Sequence, residues 1–180
     1  MPRTACLLAV LIVVSAASPI HSQSTLEIGA TLPSLQGQTL DDKDVSLPDA
    51  AQGRVCVIMM TFSKQAGERS RQWQEHFVKD FTDDSKVTSY SVAMLSDAPG
   101  FVRGMIRSAM RRGTPQPLRA HTVTVTSDSK PWKQRLNLSN DKDVYLLLLN
   151  QHGQITWIHH GDFDPKIYAD LSAAAGRLSK

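Results

Sequence analysis

The chain has 180 residues, with 20 Lys and Arg against 17 Asp and Glu, 41% hydrophobic residues and two cysteines. That length suits one domain able to bury most of its apolar surface without staples. The near balance of charge gives no global signal for nucleic acid, and no nucleic-acid partner is expected.

The first 22 residues read as a leader and not as part of the fold. Arg3 supplies a short positive start, Ala5 to Val14 is an apolar run too short to span a bilayer, and Ser15, Ala16, Ala17 and Ser18 follow. This order predicts a secretory signal peptide over 1–22 and a single domain over 23–180, in a periplasmic or secreted protein. Removing the leader removes Arg3 and Cys6 and leaves one cysteine, Cys56, so no internal disulfide can form. Cys56 stands among Val55, Val57 and Ile58, which predicts a buried small hydrophobe and not a reactive thiol.

From Thr25 to Pro48 turn signals dominate (Gly29, Pro33, Gly37, Asp41-Asp42, Pro48), and the short pairs around Thr39 and Val45 to Leu47 predict a hairpin ahead of the core. Arg54 to Thr61 is a continuous apolar run, as expected of a central strand buried on both faces. A helix should follow, capped by Ser63, with Ala66, Ser70, Trp73, Phe77 and Phe81 as its core face. Lys86 to Leu95 reads as a second strand. A second helix is expected after Pro99, with Phe101, Val102, Met105, Ile106, Ala109 and Met110 as its apolar stripe and Gly113 as its stop. Thr114 to Leu118 should be a loop, and His121 to Thr126, where Thr and Val alternate, an extended edge segment. A short helical turn is expected around Trp132. Val144 to Leu149 and Gln154 to His159 form a predicted hairpin around Gly153, and a last helix opens at Asp164-Pro165 with Ile167, Tyr168, Leu171, Ala174, Ala175 and Leu178 inward.

A β-hairpin followed by β-α-β-α and β-β-α resembles thioredoxin-like topology: an α/β mixed sheet with helices on both faces. Thiol chemistry in such folds needs Cys-x-x-Cys at a helix N-terminus, where the dipole lowers the first thiol's pKa. The turn Phe62 to Gly67 has no cysteine, and no proline stands in Asn140 to Asp143 ahead of the next strand. Peroxiredoxins carry Thr-x-x-Cys at the same turn. Thr61-Phe-Ser-Lys64 keeps the threonine and has an amine at the cysteine position. Thr61, Ser63 and Lys64 therefore mark a degenerate active-site turn, with no catalytic residue and no cofactor expected. Adjacent strand residues point to opposite faces, so His159 and His160 do not make a metal site, and no metal is expected.

Arg103, Arg107 and Arg111 recur every four residues on the second helix, with Arg112 beside them. These four are the candidate partner-binding residues, for an acidic protein segment in the envelope or an anionic membrane surface. The stripe is expected to project away from Phe101, Met105 and Met110. Asp83 and Asp84 are the acids that would neutralise it from within. Asn137-Leu-Ser139 is a glycosylation sequon, relevant only in a eukaryotic secretory route.

Tyr145 to Trp157, with Gly161 after it, resembles the end of the mitochondrial ATP synthase assembly factor family, which is thioredoxin-like and lacks redox cysteines. Trp73 and Leu32 to Gly37 are similar as well, so the likeness spans Gly29 to Leu178. Thr156 stands where that family has arginine and Asn150 where it has aspartate. The resemblance implies a redox-inactive binding or assembly factor for an envelope or membrane protein complex, as an exported relative. The alternative is a degenerate thiol oxidoreductase or peroxiredoxin-like enzyme.

Overall fold

The computed structural model describes residues 25–127 and 129–180. The expected leader lies outside the described residues. Among the described residues the elements are β1 (Leu35–Thr39), β2 (Asp44–Leu47), β3 (Val55–Thr61), α1 (Lys64–Phe81), β4 (Val87–Met94), α2 (Gly100–Gly113), α3 (Gln116–Arg119), β5 (Thr122–Val125), α4 (Lys130–Arg135), β6 (Val144–Leu149), β7 (Ile155–Gly161) and α5 (Pro165–Leu178), with a 3-10 turn at Asp49–Ala51.

All seven strands join one sheet in the order β2-β1-β5-β4-β3-β6-β7. β3 pairs in parallel with β4 and antiparallel with β6, so its backbone is saturated on both sides. Every residue of β3 is buried. Its alternation then feeds two cores. Cys56, Ile58 and Met60 pack with Tyr90, Val92, Trp132, Tyr145 and Leu147. Val55, Val57 and Met59 pack under Trp73 and Phe77 of α1 and Tyr168, Leu171 and Ala175 of α5. α1 begins where the sequence predicts: Ser63 is extended, and its hydroxyl accepts from the Ala66 amide at 3.1 Å. α5 is capped in the same way by Asp164, whose carboxylate accepts from the amides of Lys166 and Ile167. Each side-chain acceptor satisfies helix N–H groups that have no partner within the helix.

Three expectations are corrected. His121 to Thr126 is not an edge. β5 lies between β1 and β4 and is buried throughout, because β1 folds back antiparallel along its outer side at Gln38 and Thr39. Gly37 permits that approach, since a Cβ there would meet a Val123 methyl at 2.5 Å. The segment after Thr114 is not all loop, since it contains the short helix α3. The third correction concerns α2. None of its residues is buried, and Phe101 and Met105 are 85% and 70% exposed. Of its expected apolar core stripe, Phe101, Met105 and Ala109 face outward, while Val102, Ile106 and Met110 are half-buried.

The anchor of the second core is Trp73, fully buried, with its ring centroid 5.2 Å from Phe163 and 6.5 Å from Tyr168. Trp73→Ala is expected to cost about 3–5 kcal/mol, measured by urea denaturation. A loss below about 1 kcal/mol would mean that α1 does not hold the sheet.

Candidate functional site

The β3–α1 turn is where a thioredoxin-like fold would carry its chemistry. Here its three marked residues do separate structural jobs. The Thr61 hydroxyl donates to the Val92 carbonyl of β4 at 3.2 Å and is buried. Ser63 is occupied as the helix cap. The Lys64 side chain is 92% exposed, 3.6 Å from Glu68 one helical turn on. They do not converge on a point where a substrate atom could sit. Cys56 lies inside β3, and burial pushes its thiol up to about 12. At neutral pH it is therefore a thiol and not a nucleophilic thiolate.

The space beside the turn is filled by aromatic packing. Phe62 meets Tyr145 edge-on at 6.0 Å, and His160 stacks on Tyr145 at 5.2 Å. The Tyr145 hydroxyl accepts from the Ser139 amide at 3.1 Å and donates to the Asn140 carbonyl at 3.3 Å. Tyrosine thus fixes the loop ahead of β6. His160 Nδ1 lies 3.1 Å from an Asp143 carboxylate oxygen. His159 turns toward Trp73 instead, ring centroids 5.9 Å apart, and burial followed by the neighbouring His160 lowers its pKa. Among the described residues no three His, Cys, Asp or Glu side chains gather as metal ligands. At the far end of β7, Asp162 pairs with Arg69 of α1 at 2.6 Å.

The arginine stripe of α2 is placed opposite to expectation. It faces the sheet and is not a free projecting face. Arg103 donates to the carbonyls of Ala98 at 2.9 Å and Ser96 at 2.7 Å. Arg107, with a side chain 19% exposed, reaches across β5 and β1. It donates to the Thr124 hydroxyl at 2.5 Å, to the Gln38 carbonyl at 3.3 Å and to the Thr39 carbonyl. It also pairs with Asp42 at 2.8 Å, and Arg111 pairs with the other oxygen of the same carboxylate at 2.5 Å. The acid that meets the stripe is therefore Asp42, in the β1–β2 turn, and not Asp83 or Asp84. Arg111, followed by Arg107, holds the Asp42 carboxyl below its usual range. Arg112 is exposed on the outer side.

The reason for the reversal lies in β5. Val123 and Val125 enter the first core, so Thr122 and Thr124 face the side covered by α1 and α5. A helix laid over a threonine face and strand-end carbonyls is held by donors better than by methyl groups, because a guanidinium adds charge-assisted hydrogen bonds to the Thr124 hydroxyl and to the Gln38 and Thr39 carbonyls. The sequence gives little sign that Asp42 is the counter-ion of this helix. Its only trace in the sequence is the Asp41-Asp42 pair at a turn, where Asp42 takes a positive φ of 61°.

Comparison with known proteins bears on the whole chain. The family model described as ATP10 protein matches residues 26–178, so the chain belongs to that family, the ATP synthase assembly family of the Sequence analysis. No curated protein matches. Among solved structures it is similar to a thiol:disulfide interchange protein DsbE from Chlorobium tepidum, with 14% identity, a TM-score of 0.63, and 87% of this chain and 100% of that one covered. A protein disulfide isomerase from Bacteroides thetaiotaomicron gives 13%, 0.62, 85% and 90%. BsSco, of the Sco family of cytochrome c oxidase assembly proteins, gives 15%, 0.58, 88% and 98%. At these identities the likeness establishes the thioredoxin-like fold.

Arg107→Gln is expected to lower stability by about 2–3 kcal/mol, since carbonyls of β1 lose a charged donor. Asp42 has a depressed pKa in the folded state, so its contribution is full at neutral pH and is lost as acid protonates it below the ordinary carboxylate range. Chemical denaturation of Asp42→Asn across pH 2–7 should show a flatter acid limb than wild type. An identical limb would mean that the Asp42 pairing adds nothing to folding.

Proposed function

We propose that this member of the ATP10 protein family is a redox-inactive assembly factor that binds a protein subunit of a membrane complex. The observation that carries the reading is the β3–α1 turn. The fold's usual site for thiols holds Thr61, Ser63 and Lys64, each committed to packing, capping or solvent, while Cys56 is sealed in β3. A thioredoxin-like sheet without a nucleophile keeps its shape and loses its exchange reaction, which leaves binding as its use. The family's name points to the ATP synthase as the complex. Export to a periplasmic or extracellular site, followed by work at an anionic membrane surface, belongs to the same proposal. Export rests on the apolar run Ala5 to Val14 and the small residues after it, and the membrane surface on the exposed Arg112 of α2.

The rival reading, a degenerate oxidoreductase acting through Cys56, requires that thiol to be reachable. Native protein should give no insulin reduction and no peroxide consumption above the protein-free rate. Cys56 should react with a thiol reagent at pH 7 only after denaturant is added. Rapid native labelling at Cys56, with activity that disappears in Cys56→Ser, would replace the binding reading by the enzymatic one. Crosslinking in the native membrane, followed by identification of the captured subunit, tests the client directly. Repeated capture of no membrane-complex subunit would contradict the proposal.

A further inference from the structure

The outward side of α2 combines two features that do not fit an ordinary solvated helix. Phe101 and Met105, one turn apart, are the most exposed large hydrophobics of this helix, at 85% and 70%. Ala109, at the next turn, and Arg112, beyond it, are exposed on the same side. The strip runs about 16 Å from Phe101 to Arg112, at a rise of ~1.5 Å per residue. The opposite side carries Arg107, which binds β5 and β1, Arg111, which binds Asp42 of the β1–β2 turn, and Arg103, which binds the Ser96 carbonyl ahead of the helix. Because no residue of α2 is buried, the helix stands as a ridge held by arginine anchors.

Charge narrows what can cover that ridge. From Ala98 to Thr126 the sequence contains Arg103, Arg107, Arg111, Arg112 and Arg119 and no acidic residue. Asp42 answers Arg107 and Arg111, and Arg112 lies on the outer strip itself. A second copy seated there would set two acid-free, arginine-bearing helices against each other, which is unfavourable. A protein partner would need a groove shaped to the ridge. A bilayer interface needs none, since headgroups part around apolar side chains while a cation meets the phosphate layer.

We infer that the Phe101–Met105–Ala109–Arg112 strip of α2 is a membrane-docking face that seats in the interfacial layer of an anionic bilayer. This inference rests on the membrane part of the reading above but not on which client is bound. Phe101 and Met105 would enter the headgroup–acyl boundary, and Arg112 would contact lipid phosphate. The sheet, with its degenerate turn, would then be held at a fixed orientation above the surface.

The test uses the full chain and vesicles of phosphatidylcholine alone or with 30% phosphatidylglycerol. Wild type should bind the anionic vesicles at least about tenfold more tightly than the neutral ones, at ionic strengths where unscreened charge still acts. Phe101→Ser with Met105→Ser should lower that binding at least about fivefold with an unchanged circular dichroism melt, as both sites are exposed. Arg112→Gln should weaken binding and flatten its salt dependence. Because the full chain also carries the apolar run Ala5 to Val14, insertion is read at the strip itself. Phe101→Trp should gain emission that brominated anionic lipid quenches and brominated phosphatidylcholine does not. Absence of that quenching, or equal binding by the double serine variant, would overturn the inference. Capture of a membrane-complex subunit that survives the double serine variant, with vesicle binding lost, would leave the assembly reading standing and locate its client site elsewhere. Client capture lost while vesicle binding persists would mark the strip as a protein interface and overturn the lipid assignment.

Discussion

The strand β3 sets the limits within which everything else is arranged. It is hydrogen-bonded to β4 along one edge and β6 along the other, and both of its faces are covered. A polar side chain on a strand so placed must find a partner, as Thr61 does at the Val92 carbonyl, and the other positions are apolar, because an unpaired polar group there would have neither water nor partner. That requirement turns Cys56 into a packing residue and leaves the turn after Thr61 as the first place where chemistry can reach solvent. The residues found there, Phe62, Ser63 and Lys64, close the core, cap α1 and meet water. A turn without cysteine and the retention of the fold are thus compatible, since the architecture depends on β3 and the cap and not on any cysteine.

A second constraint runs through Arg107. The N-terminal hairpin is added to the outer side of β5, and β5 presents threonines to the face that α2 must cover. The guanidinium of Arg107 bridges helix, β5 and β1 at once, and Asp42 closes the arrangement from the hairpin turn. This coupling sets the rotation of α2, with Phe101, Met105 and Ala109 exposed and Val102, Ile106 and Met110 half-buried beside the arginines. Polar groups that would ordinarily be solvated are used as the anchor, and the solvent side is released to carry Phe101 and Met105.

Much of the fold was legible because the relevant signals are local. The unbroken run from Val55 to Thr61 announces double burial, Ser63 and Asp164 announce helix starts, and Trp73 and Phe77 fall at helical spacing. The absence of a thiol at the turn is equally plain in the residues. What could not be read was non-local. The alternation of Thr and Val in β5 gives a strand but does not say that the hairpin will cover its open edge, so it resembles an exposed segment. The period of Phe101, Met105 and Ala109 defines an apolar face of α2, yet the same helix has an arginine face of equal regularity. Which one turns inward depends on whether the sheet offers valine or threonine and acceptor carbonyls beneath it. Asp42, 65 residues from Arg107 in the chain, gives no periodic signal at all.

The central claim is that this thioredoxin-like chain works without sulfur chemistry. Its most direct test is assembly of the client complex in cells whose own copy is replaced by a cysteine-free chain, Cys6→Ala with Cys56→Ala, with steady-state levels of the two chains matched. Native gel electrophoresis of the membrane fraction would report the assembled complex. The account predicts as much intact complex with the cysteine-free chain as with wild type. Unassembled subunits accumulating with the cysteine-free chain, as in cells lacking the protein altogether, would contradict it.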